Sequence, residues 1–181
     1  APSTPPRLAL RRDDLRVVRR AERRRSVTLF VIDASGSSAL HRLAEAKGAV
    51  EQLLAESYVR RDEVAVIAFR GRAAELLLPP TRSLVRARRA LAGLPGGGGA
   101  PLAAALDAAD ALVDQVQRRG ATPSVVLLTD GRANVARDPA AGRAQAEADA
   151  LAAARRLALR GARALLVDTS PRPAEAAGRL A

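Results

Sequence analysis

Runs of consecutive apolar residues alternate along this chain with segments in which apolar residues recur every three or four positions. A consecutive apolar run is typical of a strand buried on both faces of a parallel sheet, and such runs lie at 27–32, 64–69, 124–129 and 162–167. The three- or four-residue spacing predicts amphipathic helices, and it lies at 40–54, 102–116 and 142–159. We therefore predict an α/β fold with a doubly wound, mainly parallel sheet and helices on both faces.

One connection between strands is too short to hold a crossover helix. Arg70-Gly71-Arg72 joins the strand at 64–69 to another apolar run at 73–78, which predicts a hairpin and hence one antiparallel edge strand. We expect Pro79-Pro80 to end that strand, and a short helix is predicted over 83–91.

The two ends of the chain differ from the middle. Residues 1–25 begin with prolines and continue into an arginine-rich run, so we interpret them as a linker and an extended arm, and 26–181 as the folded domain. After the last strand only a short helix at 174–180 is predicted. A doubly wound sheet of this kind is expected to continue with another strand and helix. We therefore expect the domain to be truncated at its C-terminus, with one sheet edge uncovered.

The composition excludes several kinds of protein. The 181 residues include no cysteine, which excludes disulfides and thiolate metal sites and favours a reducing compartment, so we expect a cytoplasmic protein. No apolar run approaches the roughly 20 residues that cross a bilayer, and residues 1–6 lack the apolar core of a secretory signal. We therefore expect no membrane partner.

The net charge of +11 is carried almost entirely by arginine, because Lys47 is the only lysine. Such a charge is compatible with nucleic acid, anionic lipid or an acidic protein as the partner, or with a basic solvated surface alone. The arm at 11–25 holds no aromatic residue on which bases could stack. We favour a solvated arm or an acidic protein partner, and keep nucleic-acid binding as the alternative function.

Three polar or glycine-rich turns are predicted at the carboxyl ends of the strands. They are the turn from Asp33 to Ser37, the loop from Gly96 to Pro101, and Thr129-Asp130-Gly131, with Pro101 expected as the first residue of the next helix. Ligands of open α/β sheets bind at this end, where the strand order reverses. If the first and fourth strands are neighbours, the three turns meet at one small site.

The predicted site offers hard oxygen donors, namely the carboxylates of Asp33 and Asp130 and the hydroxyls of Ser35 and Ser37. Such donors suit Mg²⁺. Because neutral hydroxyls leave the ion under-neutralised, a carboxylate from a partner becomes an attractive remaining ligand, which indicates adhesion rather than catalysis. The alternative interpretation is a strand-end turn that caps the following helix. No Gly-Lys-Ser or Gly-Lys-Thr follows the glycine loop, so the Walker pattern of nucleotide binding fails.

The order of these motifs resembles that of a known family. Asp33-x-Ser35-x-Ser37 followed by Asp130-Gly131 resembles the metal-ion-dependent adhesion site of von Willebrand A domains. Within that superfamily, the chain resembles the D subunits of magnesium chelatases over about residues 8–180. The stretches that carry this resemblance are 31–37, 61–64, 67–71, 77–81 and 128–134. The resemblance implies that Asp33, Ser35, Ser37 and Asp130 bind or support a divalent metal.

The sequence departs from the family pattern at one ligand. The family usually places threonine in a Gly-Gly-Thr-Pro loop, whereas this chain has Gly98-Gly99-Ala100-Pro101. Because the alanine side chain has no oxygen, one metal contact must pass to water or be lost. We therefore expect Mg²⁺, or another divalent cation, to bind more weakly here than in a relative that carries threonine.

The resemblance implies a function through assembly with other subunits. D subunits act with an AAA+ ATPase subunit and a porphyrin-binding subunit to insert Mg²⁺ into protoporphyrin IX in (bacterio)chlorophyll biosynthesis, a ligase reaction driven by ATP. This chain is then expected to be a metal-dependent protein-interaction domain that binds no nucleotide and is not catalytic alone, since nothing in it resembles a catalytic apparatus. Besides nucleic-acid binding, the remaining alternative is a von Willebrand A domain of another AAA+ partnership, such as cobalt chelation.

Overall fold

The structure is a computed structural model, and it describes residues 25–36, 52, 55–57, 59–60, 62–93, 96–170 and 178. Several sequence predictions lie outside these residues. They are the arm at 1–24, the Ser37 side chain, the helix at 40–54 except for residue 52, and the C-terminal helix at 174–180 except for residue 178.

The described part of the chain forms a five-stranded sheet in the order β3-β2-β1-β4-β5. Its strands are β1 (Ser26–Asp33), β2 (Glu63–Arg70), β3 (Ala73–Thr81), β4 (Thr122–Thr129) and β5 (Arg163–Asp168). All neighbouring strands are parallel except β2 and β3, which form the antiparallel hairpin. The predicted mainly parallel sheet with one antiparallel edge strand is confirmed, and so is the adjacency of the first and fourth strands.

The central strand β1 shows why its sequence forms a buried strand. Leu29 and Val31 pack into the core on one face of the sheet, whereas Phe30 and Ile32 pack into a second core on the other face. Each of these four side chains is at most 1% exposed. Because both faces are covered, the apolar residues run consecutively instead of alternating with polar ones.

Helices with described bounds are α1 (Leu84–Ala92), α2 (Leu102–Arg118) and α3 (Arg143–Leu159), and residues 52, 55–57 and 59 are also helical. The long helices α2 and α3 cover the face that contains Leu29, and α1 contributes Ala87 and Leu91 to the opposite core. The predicted apolar face of α2 is buried, since each of its apolar residues is at most 5% exposed: Leu102, Ala105, Leu106, Ala109, Leu112, Val113 and Val116. No helix within the described residues is long and apolar enough to cross a bilayer.

The prediction that Pro79-Pro80 ends the hairpin strand is wrong, because β3 continues to Thr81. Proline cannot donate a backbone hydrogen bond, so strands tolerate it mainly at sheet edges and bulges. Both conditions hold here: β3 pairs only with β2, and the register between them shifts near Val66. Pro101 is also not the first helical residue, since it is the N-cap of α2.

Ion pairs join the aspartates of α2 to arginines in and beside α3. Arg160 donates to Asp110 and Asp114 at 2.7 Å each. Asp107 accepts hydrogen bonds from Arg137 and Arg156. The acidic groups on this side of α2 are therefore neutralised by arginines of the same domain.

Candidate metal-binding site

The predicted meeting of remote turns occurs at the carboxyl ends of β1 and β4. The hydroxyl of Thr129 donates a hydrogen bond to Oδ2 of Asp33 at 3.0 Å, and Oδ1 of Asp33 accepts one from the amide of Ser35 at 2.9 Å. Thr129 is itself fully buried. These bonds hold the Asp33 carboxylate at the end of the two central strands, with the Ser35 hydroxyl hydrogen-bonded beside it.

The glycine loop closes a second side of this site. The amide of Gly97 donates to the carbonyl of Ala34 at 2.9 Å, and the amide of Gly36 donates to the carbonyl of Gly98 at 3.1 Å. Gly36, Gly97 and Gly98 have φ values of 76°, 114° and 88°, a region that residues with a Cβ rarely occupy. Glycine is therefore what allows the two turns to exchange backbone hydrogen bonds.

Sequence reasoning assigned no role to Asn134, which joins the glycine loop to the segment after β4. Its side-chain oxygen accepts a hydrogen bond from the amide of Ala100 at 2.6 Å, and its own amide donates to the carbonyl of Ala100 at 3.3 Å. Ala100 is only 2% exposed. Asn134 thus forms hydrogen bonds with both the amide and the carbonyl of Ala100, the loop position at which the resemblance implies a threonine ligand.

The second predicted carboxylate, Asp130, lies directly after β4 and is half-buried. Its Oδ1 accepts a hydrogen bond from the amide of Arg132 at 3.0 Å, while the amide of Gly131 donates to the hydroxyl of Thr129 at 3.1 Å. The hydroxyl of Thr129 therefore connects the two acidic positions, because it donates to Asp33 and accepts from the amide of Gly131, the residue after Asp130.

The electrostatics of Asp33 favour a cation beside it. Burial raises the pKa of the Asp33 carboxyl above its ordinary value, the hydrogen bonds from Ser35 and Thr129 act in the opposite direction, and the negative charge of Asp130 raises the pKa again. A carboxylate that is partly desolvated and close to a second acidic group is stabilised by a nearby positive charge. The donor set of this site therefore fits a hard divalent ion.

The structure brings together part of the predicted ligand set. Asp33, Ser35 and Asp130 lie at one edge of the sheet, and Ala100 follows the glycine loop beside them. Ser37 lies outside the described residues. Within the described residues, no group of three or more His, Cys, Asp or Glu side chains could hold a metal. A site here therefore depends on hydroxyl, water or partner oxygens in addition to its two carboxylates.

Comparison with known proteins identifies the family of this fold. Residues 28–132 match the von Willebrand factor type A domain family, and the chain belongs to that family. It is 56% identical over 174 residues to the magnesium-chelatase 60 kDa subunit of Cereibacter sphaeroides, covering 96% of this chain and 31% of that protein. It is 48% identical over 166 residues to the 60 kDa subunit of Rhodobacter capsulatus, covering 92% of this chain and 30% of the relative. The chain thus spans about a third of the length of these relatives.

Solved structures support the same fold at much lower sequence identity. The pilus adhesin SpaC from Lactobacillus rhamnosus GG matches 80% of this chain and 24% of its own, with a TM-score of 0.62 and 14% identity. A D319A mutant of the PilB minor pilin from Streptococcus sanguinis matches 88% of this chain and 60% of its own, with a TM-score of 0.60 and 13% identity. At such low identity these matches show the fold alone.

Proposed function

We propose that this chain is the metal-dependent protein-interaction domain of a magnesium chelatase D subunit. It helps to assemble, in the cytoplasm, the ATP-dependent complex that inserts Mg²⁺ into protoporphyrin IX. The partners are an AAA+ ATPase subunit and a porphyrin-binding subunit. The support for this proposal is the identity to magnesium-chelatase 60 kDa subunits over most of the chain, together with the oxygen-rich site at the sheet edge.

In this proposal, Asp33, Ser35, Ser37 and Asp130 hold a divalent cation, with Mg²⁺ as the expected ion. The bound ion supplies a positive charge that a carboxylate of the partner can reach. Thr129 orients the Asp33 carboxylate through its 3.0 Å hydrogen bond. Asn134 fixes Ala100 at the loop position, where the missing side-chain oxygen leaves one contact to water and weakens metal binding.

The observation that carries the proposal is the hydrogen bond between Thr129 and Asp33, because it joins residues 96 positions apart at the carboxyl edge of the sheet. Open α/β sheets bind their ligands at this edge. The oxygens gathered at this edge, from Asp33, Asp130 and Ser35, are hard donors that suit a divalent cation. A binding role therefore fits the site better than a catalytic one.

A pull-down with the AAA+ ATPase subunit of a magnesium chelatase tests this function. The chain is expected to retain the ATPase subunit in Mg²⁺ and to lose it in EDTA, and Asp33→Asn is expected to lose it in both conditions. Glu147→Gln, which removes an exposed carboxylate on α3, is the matched control and should bind like the unaltered chain. Equal retention by the Asp33 variant, or retention that EDTA does not change, contradicts the proposal.

Two other functions remain as outcomes of related tests. Binding to duplex or single-stranded DNA that falls steeply with salt and ignores chelator would support the nucleic-acid function of the arm. Selective retention of the ATPase subunit of a cobalt chelatase would place the chain in that partnership instead.

A further inference from the structure

The tip of the β2–β3 hairpin packs directly against the glycine loop of the candidate site. A Cβ added at Gly98 would lie 3.0 Å from the Cα of Gly71, and a Cβ added at Gly99 would lie 2.8 Å from the carbonyl oxygen of Gly71. Contacts this close leave no room for a side chain between loop and hairpin. The residues on either side of Gly71, which are Arg70 and Arg72, are therefore held at the rim of the site.

A cleft connects these arginines to the Asp33 turn. Its volume is about 340 Å³, and its described lining residues are Ala34, Ala68, Arg70, Gly71, Arg72, Ala73, Glu75 and Leu77. Ala34 directly follows Asp33 in the chain. The cleft therefore places the two arginines and the residue that follows Asp33 around one space.

The two hairpin arginines are available for a partner. Arg70 and Arg72 are both exposed, and neither belongs to an ion pair within the part of the chain that the structure describes. This differs from the arginines that pack against α2, such as Arg137 and Arg160, whose charges are matched by aspartates. Glu75 also lines the cleft but forms no ion pair with either arginine, so the rim keeps a net positive charge.

We propose that Arg70 and Arg72 bind further carboxylates of an acidic peptide segment whose first carboxylate binds the metal at the Asp33 turn. This inference rests on the proposed function. It adds that the partner presents a cluster of acidic residues rather than a single acidic residue. Nucleic acid fits less well, because the aromatic side chains of the described residues, Phe30 and Phe69, are fully buried and cannot stack on bases.

Short Gly/Ser peptides test the proposal when their affinities for the chain are measured in Mg²⁺ and in EDTA. One peptide carries a single aspartate, and the other carries that aspartate followed by two glutamates. The acidic-cluster peptide is expected to bind about fivefold more tightly, as two exposed ion pairs allow. Arg70→Gln combined with Arg72→Gln should remove this gain and leave the single-aspartate affinity unchanged.

The matched control removes two exposed arginines that do not line the cleft. Arg119 follows α2 and Arg163 begins β5, and neither forms an ion pair within the described residues. The combination Arg119→Gln and Arg163→Gln should keep the fivefold preference, and thermal melts should show that both double variants are folded. A preference that survives loss of Arg70 and Arg72, or that falls equally in the control, overturns the proposal.

The same titrations separate this proposal from the function on which it rests. If the single-aspartate peptide binds only in Mg²⁺ and the chain shows no preference for the acidic-cluster peptide, the metal site is supported and the proposed role of Arg70 and Arg72 is overturned. If the preference for the acidic-cluster peptide depends on Arg70 and Arg72 but persists in EDTA, the role of the two arginines is supported and the metal-dependent function is overturned. No binding of either peptide overturns both. If single-stranded DNA competes equally well with the acidic-cluster peptide, the arginines form a general anion-binding surface, and the peptide proposal is overturned.

Discussion

Thr129, at the end of β4, donates a 3.0 Å hydrogen bond to the carboxylate of Asp33, at the end of β1. The threonine side chain is fully buried, and its hydroxyl also accepts a hydrogen bond from the amide of Gly131 at 3.1 Å. One hydroxyl therefore sets both the orientation of the first acidic residue and the turn that carries the second, Asp130. The geometry of the candidate site depends on a residue that need not touch the metal.

Replacing Thr129 with valine tests this role, because valine has nearly the same shape but no hydroxyl. Loss of the hydrogen bonds is expected to weaken Mg²⁺ binding about fivefold, which corresponds to about 1 kcal/mol. Calorimetric titration of Mg²⁺ measures the change. Thr122→Val, at the exposed start of the same strand, is the control and should leave the affinity unaltered. Equal affinities for the two variants would show that Thr129 does not orient a ligand.

Ala100→Thr should strengthen Mg²⁺ binding, because it restores a side-chain oxygen at the loop position where the family usually has one. Ala100→Val is the matched control, since valine has the shape of threonine without the oxygen. The expected order of affinity, measured by the same titration, is threonine above both alanine and valine. If threonine and valine bind Mg²⁺ equally, residue 100 does not contribute to the metal site.

Asn134→Ala should destabilise the glycine loop, because the partly buried amide of Ala100 loses its 2.6 Å acceptor. The expected decrease in the free energy of unfolding is about 1 kcal/mol, with weaker Mg²⁺ binding as a second effect. Denaturant unfolding measures the free energy of unfolding, and metal titration measures the affinity for Mg²⁺. Gln145→Ala removes an exposed side-chain amide on α3 and serves as the control. A variant that unfolds and binds metal like the unaltered chain would rule out a positioning role for Asn134.

The contribution of Asp110 to stability should depend on pH. The hydrogen bond from Arg160 lowers the pKa of the Asp110 carboxyl, so the folded state favours the ionised form more than the unfolded state does. The stabilisation is then fully present above the ordinary aspartate pKa and is lost as the pH falls through the lower folded value.

Thermal unfolding of Asp110→Asn between neutral pH and about pH 3 checks this dependence. The variant should melt slightly below the unaltered chain at neutral pH, because the ion pair is partly exposed to solvent, and the difference should shrink in acid. Glu75→Gln, an exposed carboxylate without an ion pair, should show no such convergence. A difference that stays constant with pH would contradict the assigned cause.

The sequence was sufficient to predict the sheet because strands such as β1 are buried on both faces, and that burial appears directly as a consecutive apolar run. The prediction that Pro79-Pro80 ends β3 was wrong, because β3 tolerates proline through its place at the sheet edge. That place is a property of the tertiary fold and not of the local sequence. The convergence of the Asp33 and Asp130 turns followed from strand adjacency alone.

Other parts of the site could not be predicted from local patterns. The hydrogen bond of Asn134 to Ala100 joins residues 34 positions apart, and neither residue type at its position suggests the contact. The approach of Gly71 to Gly98 likewise depends on how the hairpin tip lies against another loop. The role of Ser37, which lies outside the described residues, stays a prediction.

The most direct test of the metal site is a calorimetric titration of Mg²⁺ into the full chain and into Asp33→Ala. The account predicts one saturable binding event in the unaltered chain and its loss in the variant, with thermal melts showing that the variant is still folded. No binding by the unaltered chain, or the same affinity in a folded Asp33→Ala variant, would contradict the account.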